Sequence, residues 1–448
     1  MKALSKLIEF SFAHGVHPRE YKEATVSLPI QRMPFVREYV MPLNQQLGAP
    51  CKPVVEAGAR VRRGELIAEP GAFISTTLHS PVAGWVRAID NRRYPGGVFA
   101  RSIVIEADPY DSQRFVPAPR DWRRLSADQF VSEIQQAGIV GMGGAAFPAH
   151  AKYSIPEGQH IDHILVNGAE CEPFLTNDHR MMVERPDALL LGIEILLHNL
   201  GAKAATIGVE TNKPDAIEIL RRHIRPEQPI RVAPLRVKYP QGAEKMLIKS
   251  IFNKEVPAGG LPRDLGMVVN NVGSVLAIAD WFQYGMPLIE RVVTVSGDGV
   301  EQPSNLLVPL GTPLREVLRF CDGLKAGVSQ VVMGGPMMGT TVASLEVPVL
   351  KGTSGILAFR EAQANRSQEY ACIRCGRCLE ACPYFLNPSR LAKLARARLF
   401  EEMQQYSIMD CVECGSCTYS CPSNIPIVQL IRTAKSQLRQ SAGKVARS

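Results

Sequence analysis

Between residues 53 and 105, valine and isoleucine recur in short alternating runs separated by glycine turns, VEAGARVRRGELIAEP and then HSPVAGWVRAI. Alternation of that kind gives each strand one apolar face, so the stretch predicts a small β-sandwich. The preceding chain, to about Pro50, is punctuated by proline in HPREYK and PLNQQLGAP and reads as turns and short strands.

Beyond the sandwich the apolar period lengthens. Phe130, Val131 and Ile134 fall on one side of a helix predicted over Ala127–Gln136, with Ser126 placed to cap it and Gly138 to end it. The strand HILVNG follows, then a helix over 188–200, the strand ATIGVE, a helix over 214–224 and strands near 230–237. Strands alternating with helices imply a largely parallel, Rossmann-like sheet covered on both faces. YPQGAEKMLIKSIF and GMVVNNVGSVLAIADWF each set a loop of small and polar residues ahead of a helix, so three such loops should converge at one edge of that sheet.

Residues 291–359 repeat strand, turn, helix (313–320) and strand, which suggests a β-grasp module. Within them VVMGGPMMG reads as a turn rich in glycine and methionine. NPSRLAKLARARLFEEMQQYSIMD reads as one helix, capped by Asn387, with Leu391, Leu394, Ala395 and Leu399 inward and Arg390, Lys393, Arg396 and Arg398 solvated. The final segment, from Ile425 on, is expected to be helical, then basic and frayed. The fold class is thus multidomain α/β, with boundaries at 1–115, 120–290, 291–360 and 361–448.

Composition changes this picture little. The 448 residues are 46% hydrophobic and carry a formal charge of +8, with basic residues spread along the chain rather than gathered in one block. That speaks against nucleic acid as the main partner. The best apolar run, 188–197, contains Glu194 and falls short of the ~18 residues that span a bilayer. The N-terminal stretch is broken by Glu9 and has no small-residue cleavage site, so the expected compartment is the cytoplasm.

Cysteine changes it greatly. ACIRCGRCLEACPYF and DCVECGSCTYSCPSN each hold CxxCxxCxxxCP and together contain eight of the eleven cysteines. Three thiolates at that spacing grip one face of a cubane iron–sulfur cluster, and the fourth, before proline, turns away to the other cluster. One [4Fe-4S] cluster is therefore assigned to Cys372, Cys375, Cys378 and Cys421, and the second to Cys411, Cys414, Cys417 and Cys382. Zinc sites offer two ligand pairs across a longer loop, and disulfides need an oxidising compartment, so both fit less well. Gly376 and Gly415, each after a second cysteine, leave backbone amides free to face cluster sulfurs.

The second informative stretch is GIVGMGGAAFPAHAKY. Gly141, Gly143 and Gly144 permit close backbone approach to a ligand, exposed amides favour an anionic phosphate, and Lys152 could add positive charge. The loop is neither GxGxxG nor a P-loop. Asn167, Glu170 and Glu172 lie just past the C-terminal end of the next strand, where open α/β sheets bind ligands.

GMGGAAFPAHAK, NGAECEP, YPQGAEK and VNNVGS occur in the order found in the flavin- and NADH-binding subunit of respiratory complex I. Upstream, VxxGxxVxxGxxIA and SPVAGWV resemble the lipoyl and biotinyl carrier domains, but no lysine lies between Lys52 and Lys152, so there is no swinging arm. With the two cysteine motifs downstream, the whole arrangement resembles the C subunit of the Rnf electron transport complexes.

That resemblance implies noncovalent FMN, NAD(H) as substrate and two [4Fe-4S] clusters. It places Gly141, Gly143, Gly144, Lys152, Asn167, Glu170, Glu244, Asn270 and Asn271 around the flavin, and Phe147 and Glu172 at the nicotinamide nucleotide. The sequence departs from the complex I pattern at Met142, where arginine is usual, and at Ala169, where aspartate is usual. It further implies the membrane subunits of an ion-translocating complex and ferredoxin or a ferredoxin-like subunit as partners, and a peripheral location on the cytoplasmic face of the membrane. A soluble NADH-dependent reductase for a corrinoid, and an iron–sulfur relay or docking subunit without a nucleotide site, stand as alternatives.

Overall fold

The computed structural model describes residues 9–362 and 368–445, and four sheets organise them. In the first, Glu38–Pro42, Val98–Ala107, Gly84–Tyr94 and Arg60–Val61 run antiparallel. A three-stranded sheet of Lys52–Pro53, Leu66–Glu69 and Leu78–His79 shares its core, in which Ile67, Leu78, Val86, Ile103 and Ile105 are fully buried. This is the sandwich that the alternating valines and isoleucines foretell.

The sheet that positions the site is wholly parallel, in the order Ile230–Leu235, Ala204–Glu210, His163–Gly168, Met267–Asn271. Its strands read as unbroken apolar runs because both faces are covered. Ile164, Val166 and Val268 face the helices Pro186–Leu200 and Val272–Tyr284, while Leu165, Val269 and Ala233 face Leu247, Ile248 and Ile251 of Glu244–Phe252. The register sets Asn271 opposite Asn167, so two predicted site residues end adjacent strands side by side.

The predicted helix Ala127–Gln136 carries a full capping box between Ser126 and Gln129, and Gly138 follows at φ +72°. A helix the hydrophobic pattern does not suggest, Asn177–Glu184, buries Asn177, Asp178 and His179.

Residues 290–360 form most of a six-stranded mixed sheet, in the order Ile30–Arg32, Ser304–Pro309, Glu290–Ser296, Gly355–Arg360, Val328–Met333, Thr340–Thr341. Its edge strand Ile30–Arg32 comes from the N-terminal segment. Earlier in that segment, Phe10 N donates to Pro234 O at 3.0 Å and Val16 N to Tyr239 O at 2.8 Å. The first residues described therefore strap the edge of the parallel sheet.

In the cysteine region, Pro388–Arg396 is helical and capped by Asn387, but the single long helix expected there does not form. Arg398 adopts φ +57°, Leu399 N donates to Leu394 O, and short 3-10 turns, Glu401–Tyr406 and Ile408–Asp410, follow. Leu399, assigned to the inner face, is 44% exposed as a result. The C-terminal helix spans Ile427–Val445, and the last three residues of the expected basic tail lie outside the described residues.

Candidate functional site

Loops at the C-terminal edge of the parallel sheet bring most of the predicted flavin residues together. The glycine loop is closed by Gly141 N donating to Phe147 O at 2.8 Å and anchored by Ser274, whose hydroxyl donates to Val140 O at 2.8 Å and accepts from Met142 N at 3.0 Å. Gly143 and Gly144 are exposed. A Cβ on Gly143 would lie 3.0 Å from Asn271 Nδ2, whereas one on Gly144 would meet nothing within 4 Å, so the loop backbone is open to a ligand on that side. Phe147 is half-buried beside it.

Lys152 Nζ donates to Val269 O at 3.1 Å and pairs with Glu244 at 3.3 Å. Asn271 Oδ1 accepts from Gly273 N at 2.8 Å, capping the helix, and its Nδ2 donates to Asp178 at 2.6 Å. Burial, with Glu170 nearby, raises the Asp178 pKa. Asn167 Nδ2 donates to Gly242 O at 2.8 Å and its Oδ1 accepts from Ala169 N at 3.2 Å, joining two of the loops. Asn270 is 4% exposed and accepts from Tyr153 Oη at 2.7 Å, yet its buried Nδ2 has no partner among the described residues. A buried donor without an acceptor is costly, and an acceptor-rich ring system such as a flavin would satisfy it.

Two predicted carboxylates turn elsewhere. Glu170, at φ +50°, accepts from Asp178 N at 2.6 Å and His179 N at 3.4 Å, so its carboxylate sits on the N-terminus of Asn177–Glu184. Glu172, expected at the nicotinamide, accepts from Met337 N at 3.0 Å and Met338 N at 2.9 Å in the GGPMMG turn. Burial pushes its pKa up to about 7 although both amides favour the ionised form.

Behind this loop lie two buried lysines that sequence reasoning missed. Lys213 Nζ donates to Ala169 O at 2.7 Å, Asn212 Oδ1 at 2.9 Å and Glu210 Oε2 at 3.1 Å. Lys22 Nζ donates to the carbonyls of Glu170 at 2.8 Å and Glu172 at 3.1 Å, and also to that of Leu175. Together the ammonium groups fix the peptide orientation of the NGAECEPF turn from outside. Burial lowers the Lys22 pKa against the pull of Glu170.

The eight motif cysteines surround two cavities in the crossed grouping that their spacing foretells. Cys372, Cys375, Cys378 and Cys421 line one of about 330 Å³; Cys411, Cys414, Cys417 and Cys382 line the other. The two motifs share a local geometry: Gly376 and Gly415 take φ +79° and +83°, and Arg374 and Glu413 take +56° and +59°. No disulfide joins any of the eleven cysteines. Burial raises the thiols of Cys378, Cys382, Cys411 and Cys417, Cys411 to about 11.

The cavities are placed differently. The Cys411 cavity lies against the edge of the parallel sheet: Tyr239 Oη donates to Cys414 O at 2.6 Å, and Cys414 packs against the small cluster of Val16, Tyr239 and Ala381. Cys372 and Cys375 are exposed, in a rim with Ile373 (68% exposed), Arg374, Lys393 and Arg396.

Family models match along the chain: "RnfC Barrel sandwich hybrid domain" over residues 10–110, "Nuo51 FMN-binding domain" over 134–280, "SLBB domain" over 292–341 and "4Fe-4S dicluster domain" over 371–426. The chain is 44% identical over 431 residues to the C subunit of the proton-translocating ferredoxin:NAD(+) oxidoreductase complex of Clostridium ljungdahlii, covering 96% of this chain and 94% of that one. It is 39% identical over 431 residues to the C subunit of the Na(+)-translocating ferredoxin:NAD(+) oxidoreductase complex of Acetobacterium woodii, covering 96% and 97%.

Proposed function

Since the chain belongs to the family of C subunits of ion-translocating ferredoxin:NAD(+) oxidoreductase complexes, we propose that it exchanges electrons between NAD(H) and the rest of such a complex, through FMN and two [4Fe-4S] clusters. The single observation that carries this reading is the contact between the two chemistries: Tyr239 opens the YPQGAEK loop at the sheet edge and donates to the carbonyl of Cys414 in the cysteine quartet nearest that edge.

A flavin takes two electrons from a hydride and releases them singly, which nicotinamide and cubane clusters cannot do with each other directly. The glycine loop fits the flavin: Gly143 and Gly144 offer bare backbone, the orphaned Nδ2 of Asn270 offers a donor, and Lys152 offers positive charge beside Glu244. Asn167 and Asn271 brace this floor through Gly242 and Asp178. Phe147 is the apolar wall for the nicotinamide nucleotide, while Glu170 and Glu172 shape the loop from behind.

The thiols of Cys411, Cys414, Cys417 and Cys382 hold the inner cluster, next to the sheet edge, and those of Cys372, Cys375, Cys378 and Cys421 hold the outer one, whose rim of Ile373, Arg374, Lys393 and Arg396 suits an acidic ferredoxin-like partner. In fold terms the reading treats the parallel sheet as Rossmann-like, residues 290–360 as a β-grasp module and the cysteine region as ferredoxin-like. Among the described residues no helix is long and apolar enough to cross a membrane; the reading leaves ion movement to membrane subunits of the complex and sets this chain at their cytoplasmic face, as the family resemblance implies.

Anaerobic stopped-flow absorbance tests the proposal. The cluster-reconstituted protein with FMN is mixed with NADH, and flavin bleaching near 450 nm should precede loss of the broad iron–sulfur absorption. Failure of FMN to bind, or of NADH to bleach either chromophore, would leave a cluster relay without a nucleotide site.

A further inference from the structure

The GGPMMG turn belongs to neither redox domain, yet it lies between them. It closes the end of Val328–Met333, with Gly339 N donating to Gly335 O and Gly334 N to Gly355 O, each at 2.8 Å. The two amides at its tip would be satisfied by water if the turn were merely a surface connection. Instead both donate to the carboxylate of Glu172, on the NGAECEPF turn of the parallel sheet. Glu172 is half-buried, and two backbone amides bond its two oxygens separately, which fixes the carboxylate against the turn.

The opposite side of the same turn meets the inner cysteine motif. Met337, Cys171 and Cys414 all pack against the small cluster of Val16, Tyr239 and Ala381, and a Cβ on Gly415 would stand 2.9 Å from Met337 O. Arg432, on the C-terminal helix, donates to Met338 O at 3.4 Å and Glu413 O at 3.5 Å and pairs with Glu413 at 3.3 Å. Gly335 must lack a side chain, because a Cβ there would fall 2.3 Å from Glu172 Oε2. One six-residue turn is thus gripped by the flavin loop on one flank and by the inner cluster motif on the other.

We propose that the GGPMMG turn is a positioning bridge that sets how closely the flavin loop and the inner cysteine quartet approach, with Gly335 and Arg432 as its positioning residues. The proposal rests on the electron-transfer reading above and assigns to a third domain the control of the step between the other two. Electron passage falls steeply with separation, so loosening either grip should slow that step and leave the encounter with NADH alone.

The test uses the full chain carrying FMN and both clusters, in Gly335→Ala and, independently, Arg432→Met. Hydrogen exchange at the amides of Met337 and Met338 should quicken in Gly335→Ala, reporting release from Glu172 without any turnover. In stopped flow with NADH, flavin bleaching should stay within about twofold of wild type. Cluster bleaching should slow by about tenfold or more in both variants, a small displacement of reacting groups being costly to rate. Arg432→Lys, which keeps a donor, should recover part of the loss. Freer Met337 and Met338 amides with cluster bleaching at the wild-type rate would overturn the bridge, as would flavin bleaching slowed as much as cluster bleaching. A wild-type protein whose flavin does not respond to NADH would instead overturn the underlying reading, before any variant is compared.

Discussion

Ionising Glu172 inside the protein is harder than in water, and the shift from 4.5 to about 7 has a sign that can be measured. Because the folded-state pKa is raised, the stability the group contributes is complete below about pH 4.5 and is lost as pH rises to about 7. At 1.36 kcal/mol per unit the loss is on the order of 3 kcal/mol. Glu172→Gln has no proton to lose, so relative to wild type the variant should gain stability between pH 5 and pH 7.5, read as a rise in its urea midpoint over that of wild type. Equal pH slopes in the two proteins would mean that Glu172 ionises as a solvated carboxylate does. The residue was visible in NGAECEP, but its role was not, since the amides that engage it lie 165 and 166 positions away. Lys22 and Lys213 were invisible for the same reason: a lone lysine carries no periodicity, and the carbonyl that Lys22 binds at 2.8 Å is 148 positions distant.

Among the elements, apolar period succeeded where one face is buried throughout. Pro186–Leu200 and Val272–Tyr284 were both legible, yet the pattern does not disclose how closely they approach. Gly192 does: a Cβ there would lie 2.3 Å from Val275 O and 2.7 Å from Val275 Cγ1, against backbone that cannot swing aside. Gly192→Ala should therefore destabilise the protein by about 1–3 kcal/mol despite alanine's higher helix propensity, measured as a lower urea midpoint with unchanged helical circular dichroism. A gain in stability would show that the helices are free to separate. The period misled between the cysteine motifs, where apolar residues such as Leu399, Phe400 and Met403 continue past Arg396 although Arg398, at φ +57°, breaks the helix. Asn177–Glu184 was missed for the converse reason. Beside Met181 and Met182 its buried side chains are polar and held by partners from other elements, Asp178 by Asn271 at 2.6 Å and His179 by Asp215 at 2.8 Å, so the apolar stripe is too short to mark it.

For the whole molecule, the cysteine spacing established which thiols share a cavity but was silent on which cavity faces the sheet. Burial and contacts give the order. Cys382 and Cys417 are 9% and 8% exposed, and their quartet touches Tyr239 through Cys414, whereas Cys372 and Cys375 lie open at the surface. Two substitutions separate the consequences. Cys421→Ser removes a thiol from the outer cavity and should lower iron from about eight to about four atoms per chain, while NADH still bleaches the iron–sulfur absorption that remains. Cys382→Ser takes the same kind of ligand from the inner cavity and should lower iron equally, but the remaining absorption, now that of the outer quartet, should respond to NADH at least tenfold more slowly even though flavin bleaching is unaffected, because the stepping stone is gone. The reverse pattern would mean that the exposed quartet lies nearer the nucleotide in the working protein, and equal responses would mean that either quartet can be reached without the other.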